Sequence, residues 1–145
     1  MTDAVLLDTH IVLWLDSGSD RLSRATCDLV DQCWRGGGSV LLSAVTAWEI
    51  ALLADTGRIA LDVAVADWLE RFIDRPGIAV VPLSLHAATG AYRLHHLEHR
   101  DPADRLLIAT AIELGCPLLT YDERILRFAA AHGSQYGFKA QGAPG

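Results

Sequence analysis

The chain has 145 residues, the size of one ordinary domain, and its 51% hydrophobic content is sufficient for a single packed core. Its apolar runs stop short of the roughly 18 residues that a membrane span needs, and its start lacks the layout of a signal peptide, so we expect a cytoplasmic protein without a membrane partner. The net charge of −6 argues against a uniformly basic surface for nucleic acid, and the three widely spaced cysteines indicate neither a disulfide framework nor a thiolate zinc site.

Predicted strands alternate with predicted helices along the whole chain. Short apolar runs predict buried strands at residues 4–7, 40–42, 78–81 and 117–120. Helical patterns begin near Asp8, Ala25, Ser43, Asp62, Ser84, Pro102 and Asp122. Strand–helix–strand units with right-handed crossovers build a parallel sheet that is covered on both faces. The fold class is therefore predicted to be α/β, with three α/β/α layers around a central parallel sheet.

Two acids and two arginines crowd the start of the apolar helix that begins at Pro102. Asp101 is a good N-cap, and Pro102 suits the first helical position because no N–H is needed there. Asp104 stands where a capping box has Glu, but Asp is too short to make the reciprocal bond as well. We therefore assign Asp101 to capping beside a site and Asp104 to chemistry. Arg100 and Arg105 are candidate phosphate contacts, and solvated helix faces explain them equally well.

Carboxylates are also predicted where other strands end. Asp8 follows the first strand, Glu49 lies on the helix after the second, and Asp122 follows the strand near Leu118. Ligands of a parallel sheet bind beyond the carboxyl ends of its strands, and the helix with Asp104 would deliver its first turn to that edge. Four carboxylates in one pocket repel one another unless cations or protons are present. Oxygen ligands without Cys select Mg²⁺ or Mn²⁺ over zinc, and such ions suit phosphodiester hydrolysis.

Hydroxyl groups at the same sheet edge offer further contacts. Thr9, Ser43 and Thr120 are candidates for binding phosphate or a water molecule at the metal, and helix capping explains each nearly as well. A histidine metal cluster is the weaker alternative. His95 and His99 share a helical face only if their helix continues, and the approach of a proline predicts a loop instead.

Four segments of this sequence resemble the PIN-domain nucleases in order and spacing. They are Leu6-Leu7-Asp8-Thr9-His10, Trp48-Glu49-Ile50, the block from His99 to Ala109 and Leu119-Thr120-Tyr121-Asp122. The block from His99 to Ala109 is the most specific of the four. The chain is similar in particular to the VapC-type toxins of bacterial toxin–antitoxin pairs, and the likeness spans nearly its full length.

The resemblance implies a role for each acid and a set of partners. Asp8, Asp104 and Asp122 resemble the metal-binding aspartates, and Glu49 resembles the acid that completes the catalytic site, directly or through a water molecule. The implied activity is Mg²⁺- or Mn²⁺-dependent endoribonuclease cleavage of RNA, in the role of the toxin of a type II toxin–antitoxin system. The implied partners are an RNA substrate, a small cognate antitoxin that blocks the pocket, and a second copy of the chain in a homodimer.

The predicted domain boundary lies near the C-terminus. We expect a single PIN-like nuclease domain over residues 1–138 and a disordered tail over residues 139–145. The resemblance also implies a last strand after the final helix. Tyr136-Gly137-Phe138 is the only candidate for it.

Other readings of the acidic sheet edge are weaker or remain open. A phosphoacceptor signalling domain needs a Lys at this edge, but the only Lys is Lys139, beyond the last helix. A haloacid-dehalogenase-like phosphatase needs a second Asp two residues after its nucleophile, where this chain has His10. A catalytically silent module that binds RNA or an antitoxin, and a housekeeping nuclease without an antitoxin, both remain open.

Overall fold

The computed structural model describes residues 4–35 and 39–142. Strands β1 to β5 are Ala4–Leu7, Ser39–Ser43, Ile78–Val81, Leu118–Leu119 and Ala140–Gln141. Helices α1 to α7 are Thr9–Ser17, Arg24–Arg35, Ala44–Asp55, Val65–Ile73, Leu85–Gly90, Pro102–Leu114 and Glu123–Tyr136. The strands pair in the order β3-β2-β1-β4-β5, and every pair is parallel. The described residues thus confirm the predicted α/β fold with a central parallel sheet.

Side chains of the central strand alternate between the two faces of the sheet. Val5 and Leu7 pack with residues of α1, α2 and α4, whereas Leu6 packs with residues of α6 and α7. All three side chains are fully buried. A strand with a period of two can fill two cores only when helices cover both faces, so this burial identifies a three-layer structure.

The helix predicted to begin near Ser84 is short, although its apolar pattern continues through Ala91 and Leu94 to His95. It ends at Gly90 instead of continuing to His95, and residues 91–101 form turns without regular structure. Backbone carbonyls in this segment accept hydrogen bonds from the guanidinium of Arg105, which lies on α6. The acceptors are the carbonyl oxygens of Ala91, Leu97 and His99. A buried arginine thus replaces the hydrogen bonds that a continued helix would have made.

The helix predicted to begin near Asp62 begins later. Helix α4 starts at Val65, and the exposed Asp62 lies outside it, where it pairs with Arg71 at 3.1 Å. None of the helices in the described ranges has both the length and the apolar character that crossing a membrane requires.

The C-terminal edge of the sheet differs from the prediction. Tyr136 is the last residue of α7, and Gly137 ends that helix with a φ of +69°, so residues 136–138 are not the last strand. That strand is Ala140–Gln141, and the N–H of Thr120 donates to the carbonyl of Gln141 at 2.8 Å. The tail expected to be disordered from residue 139 is therefore paired as far as Gln141. Residues 143–145 of the expected tail lie outside the described residues.

Candidate metal centre

A pocket of about 410 Å³ opens at the sheet edge where β1, β2 and β4 end. The chain enters α1, α3 and α7 within four residues of leaving these strands, so each helix delivers its first turns to this edge. The pocket is lined by five carboxylates, those of Asp8, Glu49, Asp101, Asp104 and Asp122. The structure therefore brings all four predicted catalytic acids together, beside the predicted cap Asp101.

Asp8 is the most deeply buried of these acids, with 6% of its surface exposed. Its Oδ1 accepts the N–H of Thr9 at 2.8 Å at the start of α1, and its Oδ2 accepts the hydroxyl of Thr120 at 2.7 Å. Burial raises the pKa of this carboxyl, and the two hydrogen bonds and His10 offset that rise only in part. The N–H of Thr9 and the hydroxyl of Thr120 therefore hold Asp8 in place. Both groups donate their hydrogen bonds to a carboxylate of the protein.

Glu49 lies on the second turn of α3 and faces the pocket half-buried. The Oγ1 of Thr9 donates to Glu49 Oε1 at 2.5 Å, which joins α1 to α3 across the pocket. Burial raises the pKa of Glu49, and the charges of Asp8 and Asp101 raise it further, against the lowering effect of the Thr9 bond. Because the charges of both neighbouring acids raise the pKa of Glu49, the three carboxylates are close enough to repel one another.

Asp101 and Asp104 have different positions at the start of α6. Asp101 is exposed and is the N-cap, accepting the N–H of Asp104 at 3.1 Å. The side chain of Asp104 is only 14% exposed and turns toward the pocket. Burial raises the pKa of Asp104 to about 7, with the charge of Asp8 as the next cause. The acid without a capping role is thus the one directed at the other carboxylates.

Asp122 is both the N-cap of α7 and a pocket residue. It accepts the N–H of Arg124 at 2.8 Å, and the Arg124 guanidinium pairs with its other oxygen at 3.2 Å. Partial burial favours the neutral carboxyl, but these bonds and the positive charge outweigh burial and hold the pKa of Asp122 below its usual value. Asp122 therefore supplies a fixed negative charge at the rim of the pocket.

His99 is a site residue that the sequence analysis left out of the main prediction. Its Nε2 lies 2.5 Å from Asp104 Oδ2, and ligand atoms of His99, Asp104 and Asp122 all lie within 4.8 Å of one another. His95 is exposed and does not join this group. The signal in the sequence is a histidine five residues before Asp104, and its role depends on the pairing with Asp104 and not on the neighbouring histidines.

Three predicted phosphate contacts lie outside this pocket. Ser43 is fully buried and caps α3 through the N–H of Val45. Arg100 is exposed and lines a neighbouring groove. Arg105 is 4% exposed, and its guanidinium is used by three backbone carbonyls, so the prediction that it contacts phosphate is wrong. Its helix position faces the protein interior, where a phosphate has no access.

The donor set of the pocket fits a hard divalent cation. Four of its acids present oxygen atoms, one imidazole joins them, and the described residues add no thiolate to the lining. The pKa values of Asp8, Glu49 and Asp104 are all raised, so the site holds negative charge at a cost that a cation would relieve. The ligand atoms that lie close enough to share one ion belong to His99, Asp104 and Asp122, and Asp8 and Glu49 line the same pocket or its rim.

The raised pKa of Asp104 predicts how the stability of the metal-free protein depends on pH. The carboxyl of Asp104 has a pKa of about 7 in the folded protein and near 3.8 in the unfolded chain. Its protonation therefore stabilises the folded state fully at pH values below 3.8, and this stabilisation is lost as the pH rises from 3.8 to about 7. Between these pH values, the free energy of unfolding measured with urea in EDTA should therefore decline less steeply for Asp104→Asn than for wild type. The exposed neighbour Asp101→Asn is the control and should change the decline much less, because burial contributes more than the charge of Asp101 to the raised pKa of Asp104. Parallel curves for Asp104→Asn and wild type would contradict the assignment.

The parallel sheet with carboxylates gathered beyond its strand ends defines an α/β domain with an acidic pocket at the sheet edge. Within that class, the chain belongs to the PIN domain family, whose family model matches residues 5–131. Ribonuclease VapC22 of Mycobacterium tuberculosis is 34% identical over 121 residues, which are 83% of this chain and 88% of that protein.

Solved structures share the fold at much lower sequence identity. VapBC2 from Rickettsia felis, bound to a DNA fragment from its promoter, matches with a TM-score of 0.66 and 12% identity, over 95% of this chain and 97% of that one. FitAcB from Neisseria gonorrhoeae matches with a TM-score of 0.58 and 19% identity, over 94% of this chain and 95% of that one. These structures confirm the fold, and the family model together with the relative at 34% identity confirms the resemblance to PIN-domain proteins.

Proposed function

We propose that this protein is a Mg²⁺- or Mn²⁺-dependent endoribonuclease that acts as the toxin of a type II toxin–antitoxin system. The observation that carries the proposal is the convergence of Asp8, Glu49, Asp104 and Asp122 in one pocket at the sheet edge. The family relationship supports it, because the relative at 34% identity is a ribonuclease by name. Bound by these acids, a divalent ion would supply charge stabilisation at the phosphate and would lower the pKa of a water molecule.

The protein side chains have distinct tasks in this proposal. Asp8, Asp104 and Asp122 hold the cation, with Glu49 contributing directly or through a water molecule. Thr9 and Thr120 orient Glu49 and Asp8 through their hydroxyls. His99 orients Asp104 through the bond between Nε2 and Oδ2. The ribose 2′-OH has no role in this arrangement, because the attacking group is water.

The products of cleavage test this chemistry. When a water oxygen bonds to phosphorus and the bond from phosphorus to O3′ breaks, the products carry a 5′-phosphate and a 3′-hydroxyl. We expect purified protein to cut RNA into such products, to stop in EDTA and to recover with Mg²⁺ or Mn²⁺. End-group analysis of the fragments by mass spectrometry is the measurement. A 2′,3′-cyclic phosphate, or cleavage that persists in EDTA, would overturn the metal-dependent mechanism.

A second groove supports the proposed antitoxin partner. It measures about 840 Å³, runs between α1, α3 and α4, and shares His10, Trp14 and Glu49 with the acidic pocket. Apolar side chains such as Leu53 and Leu61 line it. An amphipathic antitoxin segment in this groove would bring a basic side chain to the carboxylates and block them.

We also propose a cytoplasmic location and a homodimer, both of which the resemblance to VapC-type toxins implies. Exposed apolar side chains in β3 and at the start of α5 support a dimer, with Val80 49% and Leu85 83% exposed. The neighbouring reading frame separates the toxin role from a housekeeping nuclease. A short upstream gene for a small DNA-binding protein supports the toxin, and its absence favours the housekeeping enzyme.

A further inference from the structure

A groove of about 780 Å³ lies on the other side of the acidic pocket. One wall is the segment from His96 to Asp101, and the other wall is α7. Asp101 and Arg124 line both this groove and the acidic pocket, so the two are continuous. We call it the basic groove.

Helix α7 lines the basic groove along one face. The contributing positions share helical spacing, because they recur at intervals of three and four residues. They are Arg124, Arg127, Phe128, Ala131 and His132. At 1.5 Å per residue this face extends for roughly 12 Å beyond the pocket. An extended ligand bound in the groove would therefore run from the carboxylates of the acidic pocket along α7.

The groove concentrates positive charge on an acidic protein. Its walls carry Arg100, Arg124 and Arg127, all exposed, against the carboxylates of Glu98 and Asp101, whereas the whole chain has a net charge of −6. Within residues 4–35 and 39–142, Arg124 pairs with Asp122, and neither Arg100 nor Arg127 forms an ion pair. The last two guanidiniums are thus available for phosphate oxygens from a bound ligand.

The groove also presents aromatic rings. The rings of His96 and His132 stack with centroids 4.3 Å apart, and His96 Nδ1 lies 2.6 Å from the hydroxyl of Tyr136. His96 is exposed, so this fixed ring is available as a stacking surface. Basic side chains beside stacking rings are the combination by which proteins bind unpaired nucleic-acid strands, whose bases are free to stack.

We propose that the basic groove binds single-stranded RNA adjacent to the bond being cleaved. Arg100 and Arg127 contact backbone phosphates, and the pair formed by His96 and His132 stacks against a base. This inference rests on the proposed function for the identity of the acidic pocket as the cleavage centre. Binding in the groove itself does not require cleavage and can be measured without it.

The test measures binding of a short fluorescent single-stranded RNA in EDTA over a range of salt concentrations, at a pH above the ordinary histidine range. Each phosphate contact with a single strand contributes about 0.7 to the slope of log affinity against log salt. Arg127→Gln should therefore weaken binding and reduce the slope by about 0.7. The matched control is Arg24→Gln, an exposed arginine of α2 on the opposite face of the sheet, which should keep the wild-type slope.

A second variant distinguishes the base contact from the phosphate contacts. His96→Ala should weaken binding by about fivefold or more, since loss of one stacked base costs at least about 1 kcal/mol, and should leave the salt slope unchanged. Duplex RNA of the same length should not show this loss. Equal losses for duplex and single strand would overturn the stacking assignment. Circular dichroism of each variant verifies that these exposed substitutions leave the fold intact.

The outcomes separate this inference from the proposed function. If wild type cleaves RNA but Arg127→Gln binds with the wild-type affinity and slope, the groove inference is wrong and the nuclease proposal stands. If binding depends on Arg127 and His96 but no divalent ion restores cleavage, the groove inference stands and the nuclease proposal fails. If wild type shows no salt-dependent RNA binding, the groove inference is overturned.

Discussion

Asp104→Asn is expected to lower RNA cleavage by about a hundredfold or more, since even the outer partners of metal ligands contribute 10- to 100-fold. Asparagine keeps the size of the side chain but removes the negative charge that the cation needs. The metal-free variant should be no less stable than wild type, because burial and the charge of Asp8 already disfavour the ionised carboxyl. Activity at saturating Mg²⁺ and melting in EDTA are the two measurements.

Asp101→Asn is the matched control for this experiment. Asparagine caps a helix about as well as aspartate, so this variant should keep both its fold and most of its activity. Millimolar Mg²⁺ should raise the melting temperature of wild type and Asp101→Asn, and should raise that of Asp104→Asn much less. If Asp101→Asn is the inactive variant with its fold intact, the roles that the structure suggests for the two acids are reversed.

Arg105→Met should destabilise the protein by about 3 kcal/mol or more, which is a large loss for a single substitution. Methionine keeps much of the apolar stem and removes the guanidinium. Three backbone carbonyls, those of Ala91, Leu97 and His99, then lose partners at 3.1, 2.6 and 3.0 Å. The loop that carries His99 is therefore expected to loosen, and urea unfolding in EDTA measures the loss of free energy.

The exposed Arg100 supplies the comparison for Arg105. Arg100→Met removes the same charge from the same region and should change the free energy of unfolding by less than about 0.5 kcal/mol. Its effect should appear instead in RNA binding. Equal stability of the two variants, with RNA binding lost only in Arg105→Met, would restore the interpretation of Arg105 as a phosphate contact.

The position of the acids could be predicted because it follows from local sequence. Asp8 and Asp122 come directly after apolar runs, and a strand that turns at once into a helix leaves its capping residue at the sheet edge. Asp104 could be separated from Asp101 because only one acid is needed as an N-cap. These inferences need the order of the elements and no knowledge of how distant segments meet.

The residues that were misjudged depend on contacts between distant segments. Arg105 has the same sequence neighbours whether its side chain is solvated or buried, and only the fold of residues 91–101 supplies its acceptors. Strand β5 is the dipeptide Ala140–Gln141, which has no apolar pattern, and it is a strand because β4 offers an unpaired edge. His99 became a site residue because its loop is held against α6.

Helix α7 separates two properties of this protein along its length. Asp122 is the N-cap at the start of the helix, whereas Arg127 and Ala131 are exposed residues on its later turns. Substitutions at those exposed positions cost little folding free energy and leave the carboxylates unchanged. The RNA contacts that we propose for this face can therefore change by substitution without disturbing the acidic pocket.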